Sequence, residues 1–275
     1  MSEKEPVRRL EKHVDVDAPI EEAWKAITTG LGIASWFAPI VEVSGPGTGA
    51  TVTSGWSPEM MMSHTVRAWE PMKHVSWIDA SGWPGPGTSL VCDYYLSTEK
   101  GKTRIRLVQS AFGPSDAWDD LFDGMEVGWS YFLYNLRVYL EKHVGRVRHL
   151  ISERLPVALP RRKFWEHLLS GAAGLVSGGR GAVKAGDALQ LELTDAGPVR
   201  GVVEVLVEGR GLGVRIPELA DALLFVELEG RSDEFHVGYW LSVYDPVQAK
   251  RVESRARAAF KRVHETLPPV HGTSN

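Results

Sequence analysis

The sequence has one cysteine, little net charge and no long apolar run, and each shortage excludes a class of protein. The cysteine is Cys92, so no disulfide can form within the chain, which is typical of a reducing compartment. The net charge of −4 gives no support for a nucleic-acid partner. No apolar stretch approaches the roughly 20 residues that a transmembrane helix needs. We therefore expect neither a membrane span nor nucleic-acid binding.

The first residues, "MSEKEPVRRLEK", are charged and lack the apolar core of a signal peptide. Together with the single cysteine, this predicts a cytoplasmic protein. A hydrophobic content of 43% and a charged content of 24% are typical of a globular protein. Ten tryptophans are a high count for 275 residues, and aromatic side chains of this kind often line apolar pockets.

The first half of the chain predicts a strand, two helices, about six strands and a long helix. Residues 13–17 alternate apolar and polar side chains, as a half-buried strand does. Residues 17–30 have apolar side chains at helical spacing, with Gly30 as the predicted end of the helix. Strand-like runs with tight turns then follow from Ile40 to Ser110, which predicts an antiparallel meander. A helix is expected from about Ser115 to Val144.

This long helix is unusually aromatic in "GWSYFLYNLRVYLEKH", residues 128–143. Its spacing places one stripe of side chains on one face, namely Trp129, Phe132, Leu133, Leu136, Leu140 and Val144. A curved antiparallel sheet around such a helix leaves a space that the aromatic stripe fills or lines. The predicted fold class is therefore α+β.

The second half of the chain repeats the same order faintly. Three pairs of residues align at one offset without a gap: Pro19 with Pro160, Trp24 with Trp165, and Gly30 with Gly171. The last helix, capped by Asp245, has small residues on its inner stripe, and these let a helix approach a sheet closely. We predict two domains, 1–146 and 147–270, with the apolar cavity mainly in the first.

Three segments resemble a known family: "VDAPIEEAWKAIT", "ASWFAP" and the aromatic helix. They are similar to the START-like, birch-pollen-allergen-like (SRPBCC) superfamily, and more narrowly to bacterial homologues of the activator of the heat-shock chaperone ATPase. The specific parts are Trp36 with Phe37 and the "GW…L.NL..YL" pattern that begins at Gly128. The second half resembles the fold only through the internal repeat and lacks the "WF" pair.

The resemblance implies a helix-grip fold with a cavity between the sheet and the long helix, in two tandem copies. Superfamily members bind lipids, polyketides, hormones and other apolar molecules, and some are cyclases, aromatases or hydratases. The residues predicted to line the cavity are Trp36, Phe37, Met60, Met62, Trp77, Tyr94, Met125, Trp129 and Phe132. The alternative for each of them is ordinary core packing.

Two polar residues, His64 and Asp93, are candidates for reaching a ligand inside this cavity, and such a pair would allow acid–base chemistry. His74 and Asp79 are weaker candidates, and an outward-facing position is the alternative for all four. Cys92 has no histidine near it in sequence, which argues against a thiol nucleophile.

No cofactor and no metal are expected. The acidic run "SDAWDDLFDGME" lacks the ligand spacing of a calcium loop and complements a helix dipole instead. The glycine-rich runs lack the phosphate-loop spacing.

Three functions stay open. The favoured one is noncatalytic binding of a small apolar or amphipathic molecule. The others are an enzyme of polyketide cyclase or aromatase type, and a protein-interaction module, for instance one that associates with a chaperone. A protein partner would use the second domain or the basic face of the last helix, formed by Lys250, Arg251, Arg255, Arg257, Lys261 and Arg262.

Overall fold

The computed structural model describes residues 8–79, 89–113, 118–230 and 234–268. The chain divides into two compact units, Met1–Arg148 and His149–Asn275, called here the N-terminal and C-terminal units. Each unit has one antiparallel sheet followed by a long helix, so the predicted α+β class and helix-grip arrangement are confirmed. Within the described residues, no helix is both long and apolar enough to cross a membrane.

The N-terminal unit contains a seven-stranded sheet. Its strands are β1 (Arg8–Val16), β2 (Ile40–Val43), β3 (Thr51–Gly55), β4 (Met61–Glu70), β5 (His74–Asp79), β6 (Val91–Glu99) and β7 (Lys102–Phe112). The strand order is β1-β7-β6-β5-β4-β3-β2, and all pairs are antiparallel. Strands β2 to β7 form the predicted meander, and β1 joins it beside the last strand. The helices of this unit pack against one face of the sheet.

The helices of this unit are α1 (Ile20–Thr28), α2 (Gly30–Ala34) and α3 (Asp119–Val138). The first helix ends before Gly30, because Thr29 is extended and its side chain accepts a hydrogen bond from the Gly32 amide at 3.0 Å. Gly32 is required here, since a Cβ atom would lie 2.1 Å from the Lys25 carbonyl oxygen. The predicted helix start at Ser115 lies outside the described residues. After Val138 the long helix continues as a π-helical turn, Tyr139–His143.

The C-terminal unit has a six-stranded sheet of the same connectivity. Its elements are β8 (His149–Ala158), α4 (Arg161–Leu168), β9 (Ala188–Leu191), β10 (Val199–Val207), β11 (Gly211–Ile216), β12 (Ala222–Glu229), β13 (Glu234–Val243) and α5 (Pro246–Glu265). The strand order is β8-β13-β12-β11-β10-β9. As in the N-terminal unit, the first strand lies beside the last and a meander joins the others. This common path explains the repeat in the sequence.

The interior of the C-terminal unit is formed by side chains of its sheet and of α5. Helix α5 begins as predicted at Asp245, whose side chain accepts hydrogen bonds from the Val247 and Gln248 amides, both at 2.9 Å. The small residues predicted to face inward are all buried: Ala249, Val252, Ala256, Ala259 and Val263. They belong to one continuous cluster of buried, mostly aliphatic side chains. The Phe260 ring stacks on Tyr239 with the ring centroids 4.8 Å apart.

A small polar cluster lies where α5 meets α4 and β13. The Nε2 atom of His264 is 3.0 Å from the Tyr239 hydroxyl, and Nε2 of His167 is 3.0 Å from the Val263 carbonyl oxygen. Burial, and then the neighbouring His167, lower the pKa of His264 to about 4. The folded unit therefore holds His264 neutral well below the ordinary histidine pKa.

Acidification is expected to destabilise the C-terminal unit through His264. Its folded pKa lies below the unfolded value, so between pH 6.5 and about 4 the unfolded chain binds a proton that the folded unit does not. The contribution of the neutral His264 imidazole to the free energy of unfolding is complete above this pH range and is lost as the pH falls through it. In His264→Gln, which cannot be protonated, this part of the pH slope should disappear. Guanidinium unfolding followed by far-UV circular dichroism at several pH values measures the slope, and an unchanged slope would assign the loss to another group.

Candidate functional site

Alternation along the central strands divides their side chains between the face of the N-terminal sheet that meets α3 and the opposite face. On β6, Tyr94 points inward: its ring centroid lies 6.3 Å from that of Trp129 on α3. The register places Val75 opposite Tyr94, and Trp77 opposite Cys92. These four residues therefore lie on the inner face, and residues 93 and 95 lie on the outer face.

Seven rings come together on this inner side and form what we call the aromatic cluster: Trp36, Phe37, Trp56, Trp77, Tyr94, Trp129 and Phe132. Phe37 is at its centre. Its ring is stacked on Trp129, with centroids 5.4 Å apart and planes 3° apart. It also meets Trp56 and Phe132 edge-on, at 5.1 and 4.9 Å. Such offset and edge contacts are the favoured aromatic geometries.

The aromatic cluster extends from the interior of the unit to its surface. Trp36, Trp77, Tyr94 and Trp129 are buried, and Tyr94 is completely so. Phe37, Trp56 and Phe132 are only partly buried. The cluster therefore has an inner end on the sheet and an outer end within reach of solvent.

The Trp36–Phe37 pair is held by hydrogen bonds from three directions. The Trp36 indole N–H donates to the Ala26 carbonyl at 2.9 Å, and the Asn135 side-chain amide donates to the Trp36 carbonyl at 2.7 Å. Arg148 donates to the Phe37 carbonyl at 2.7 Å. These bonds join α1, the segment after α2, and α3, so they hold the Trp36 ring and the backbone of Trp36 and Phe37 in place.

The ring of Trp129 is also fixed from the sheet side. Its indole N–H donates to the Gln109 side-chain oxygen on β7 at 2.5 Å. Gln109 is buried and lies opposite Cys92 in the ladder. Cys92 is a free, buried cysteine, and burial raises the pKa of its thiol to about 12. The thiol is therefore protonated near neutral pH, consistent with the expectation that it is not a nucleophile.

The inner wall carries two buried polar atoms close to the rings. The register places His64 of β4 directly opposite Asp79 of β5 on the inner face, and the His64 ring centroid lies 6.3 Å from that of Trp77. Among the described residues, Nδ1 of His64 has no hydrogen-bond partner. The Tyr94 hydroxyl neighbours the Cys92 thiol, a weak hydrogen-bonding group, and has no oxygen or nitrogen partner in the described part of the chain.

Burial lowers the pKa of His64, and the Asp79 carboxylate and the Val52 backbone oppose this effect only in part. The desolvated imidazole therefore favours its neutral form, in which one ring nitrogen donates a hydrogen bond and the other accepts one.

The structure contradicts the prediction that Asp93 joins His64 inside the unit. Asp93 follows Cys92 and precedes Tyr94, so its side chain points to the outer face. There it lies 2.8 Å from Nε2 of His74, whose ring stacks on Tyr95 with centroids 4.3 Å apart. The alternation of β6 was visible in the sequence, but the face that meets the helix was not. The inward acid near His64 is Asp79.

Met60 is also placed differently from the prediction. It precedes β4, in the turn, and 50% of its surface is exposed, so the strand alternation that paired it with Met62 does not reach it. Met62 is partly buried and lies opposite Ser54. Met125 on α3 is partly buried. The other six residues predicted to line the cavity are all members of the aromatic cluster.

Sequence reasoning missed Trp56 and Gln109. Trp56 follows the end of β3 at Gly55, so strand alternation did not indicate its direction. Gln109 could have been found, because it continues the inward series of Ile105 and Leu107 on β7 at period two. Among the described residues, no group of three or more histidine, cysteine, aspartate or glutamate side chains is arranged to hold a metal ion.

The N-terminal unit is thus a helix-grip domain whose long helix covers an aromatic cluster on a curved antiparallel sheet. Residues 17–141 match the family model described as "Activator of Hsp90 ATPase homolog 1-like protein", and the matched residues all lie in this unit. Over these residues the N-terminal unit is similar to this family, in agreement with its resemblance to the SRPBCC proteins. No curated protein gives a significant match to the chain.

Several solved structures are similar to parts or most of the chain. The solution structure of the Aha1 dimer from Colwellia psychrerythraea is 24% identical and covers 50% of this chain and 99% of its own, with a TM-score of 0.42. DynU16, from the dynemicin biosynthetic locus, is 18% identical over 95% of this chain and 98% of its own, with a TM-score of 0.42. The di-domain ARO/CYC BexL from the BE-7585A biosynthetic pathway is 12% identical over 95% and 99%, with a TM-score of 0.45.

Proposed function

We propose that the N-terminal unit binds a small apolar or amphipathic molecule between its sheet and α3. The observation that carries this proposal is the aromatic cluster, which is continuous from the buried Tyr94 to the partly exposed Phe37 and Trp56. Aromatic rings supply large apolar contact areas for a ligand, and a few polar groups then orient it. Here His64 and Tyr94 are such groups.

We assign binding to the N-terminal unit because the interiors of the two units differ. In the C-terminal unit the small side chains of α5 and the aliphatic residues of the sheet belong to one continuous buried cluster. Small side chains on a helix let it approach the sheet closely, which reduces the space for a ligand between them. The C-terminal unit is proposed to serve a structural or interaction role.

Catalysis is not part of the proposal. The predicted pair of His64 and Asp93 is not assembled, because Asp93 lies on the outer face with His74, and the acid opposite His64 on the inner face is Asp79 instead. We also place the protein in the cytoplasm, on the support of its single, buried and free cysteine.

A protein partner at the basic face of α5 has less support. Arg257 donates to the Ser152 carbonyl and to Glu153, both at 3.0 Å, and Arg255 lies 3.5 Å from Glu192. These cations already have partners within their own unit, so they are less available for an acidic surface on another protein.

Binding can be tested with Nile red, an uncharged dye whose fluorescence rises in apolar surroundings. We expect saturable binding to the full chain, weakened about tenfold or more in Phe37→Ala, because Phe37 holds the centre of the aromatic cluster; a tenfold change corresponds to about 1.4 kcal/mol. The matched control is Trp69→Phe, since Trp69 pairs with Trp24, 5.0 Å away, outside the cluster. The absence of saturable binding, or equal losses in both folded variants, would contradict the proposal.

A further inference from the structure

The sulfur atoms that solvent can reach in this chain belong to methionines, not to the cysteine. The single thiol, Cys92, is buried and its pKa is raised to about 12, so it is neither accessible nor ionised near neutral pH. The exposed methionines of the described residues are Met60, Met61 and Met72, with 50%, 36% and 38% of their surface exposed. A mild oxidant such as a hydroperoxide therefore meets these thioethers before it meets the thiol.

Two of these methionines belong to the hairpin of β3 and β4, which also carries Trp56. Met60 closes the turn, where its amide donates to the Ser57 carbonyl at 3.0 Å. Met61 begins β4 and lies opposite Gly55 in the ladder. The Met61 sulfur lies directly against Gly55, since a Cβ atom on this glycine would collide with it. The thioether thus occupies the space that a side chain at position 55 would take, one residue before Trp56.

We infer that Met61, with Met60, is a reversible oxidation site that controls the position of Trp56 at the outer end of the aromatic cluster. A hydroperoxide transfers one oxygen atom to the thioether sulfur: the O–O bond breaks, an S–O bond forms, the sulfur is oxidised, and the peroxide is reduced to water or an alcohol. The resulting sulfoxide is polar and favours hydration. It cannot keep the close apolar contact with Gly55, so the end of the hairpin opens.

Trp56 connects this hairpin to the aromatic cluster. Its ring meets Phe37 edge-on with the centroids 5.1 Å apart, and its centroid lies 6.1 Å from that of Phe132. When the end of the hairpin opens, Trp56 loses these contacts and the outer end of the cluster becomes less ordered. Binding of apolar molecules should then weaken, a consequence that rests on the proposed function. Reduction of the sulfoxide by methionine sulfoxide reductase restores the thioether and with it the original arrangement.

Brief treatment of the full chain with hydrogen peroxide tests the inference. Tandem mass spectrometry of the peptides should find one added oxygen on Met60 and on Met61 before the partly buried Met62 and Met125 react. Amide hydrogen exchange of residues 51–62 should become at least about threefold faster, because the hairpin opens more often. The affinity for Nile red should fall about threefold or more. Methionine sulfoxide reductase should reverse both changes.

Variants assign the response to residues. The double variant Met60→Leu with Met61→Leu keeps the apolar volume but cannot be oxidised at the hairpin, so peroxide should change neither its exchange nor its affinity. Met72→Leu is the matched control, since Met72 is about as exposed as Met61 but lies between β4 and β5, at the other end of β4, and it should respond like the unchanged chain. Met61→Gln introduces a polar group without an oxidant, and its residues 51–62 should exchange faster before any treatment.

The inference is overturned if Met60 and Met61 are oxidised while the hydrogen exchange or the Nile red affinity stays the same. It is also overturned if the double variant responds to peroxide like the unchanged chain. Hydrogen exchange needs no ligand, so it decides the inference even if Nile red does not bind. The absence of Nile red binding to the untreated chain would contradict the proposed function instead.

Discussion

Replacing Trp36 with alanine is expected to lower the free energy of unfolding of the N-terminal unit by about 3–5 kcal/mol, the range found for large buried aromatic residues. Trp36 is completely buried, and the variant loses its ring contacts and the hydrogen bond to the Ala26 carbonyl together. Guanidinium unfolding followed by tryptophan fluorescence measures the loss. This signal reports mainly on the N-terminal unit, because eight of the ten tryptophans lie in residues 1–148.

The control for this prediction is Trp36→Phe. It keeps most of the apolar volume and removes the indole N–H, which leaves the Ala26 carbonyl without this donor. We expect a loss of about 1–3 kcal/mol, the cost of an unsatisfied buried group with a small cavity. A loss in Trp36→Ala no greater than in Trp36→Phe would mean that the ring is not part of the core.

Replacing Asn135 with aspartate is expected to cost about 3–5 kcal/mol, although the two side chains have nearly the same shape. Asn135 is completely buried and donates a hydrogen bond to the Trp36 carbonyl at 2.7 Å. An ionised carboxylate cannot donate this bond, and it places a buried charge against a carbonyl oxygen. Unfolding in guanidinium at neutral pH gives the size of the loss.

The pH dependence of Asn135→Asp identifies its cause. Burial raises the pKa of the introduced carboxyl group in the folded state above its value in the unfolded chain. As the pH falls, the folded state therefore binds the proton first, and the protonated group can again donate to Trp36. The difference from the unchanged chain should shrink on acidification, and a constant difference would exclude a charge effect. Arg137→Ala, at an exposed ion pair with Glu141 on the same helix, should change stability by less than about 1 kcal/mol.

Local patterns predicted the architecture well. Period-two runs with tight turns between Ile40 and Ser110 are sufficient to indicate a meander, because strands joined by short turns must pair antiparallel. The aligned proline, tryptophan and glycine residues of the two halves indicated the tandem arrangement, and both sheets have the same connectivity. Boundaries were less accurate where the backbone has special geometry, as at Thr29, which separates two helices that the sequence divided at Gly30.

The candidate site was predicted in part. The resemblance singled out Trp36, Phe37 and Trp129, and these rings do meet. Trp56 was missed because it lies beyond the end of its strand, where no periodicity applies. Met60 was included because its strand was expected to begin earlier than it does.

The sequence by itself determined which residues alternate along each strand, where the long aromatic helix lies, and that the fold occurs twice. Only the tertiary structure decided which face of each strand is the inner one, and therefore that Asp79 accompanies His64 while Asp93 pairs with His74. The physical reason is that alternation has a period but no direction of its own. The direction is set when the sheet packs against α3, through contacts between residues far apart in the chain, such as Gln109 with Trp129 and Trp36 with Asn135.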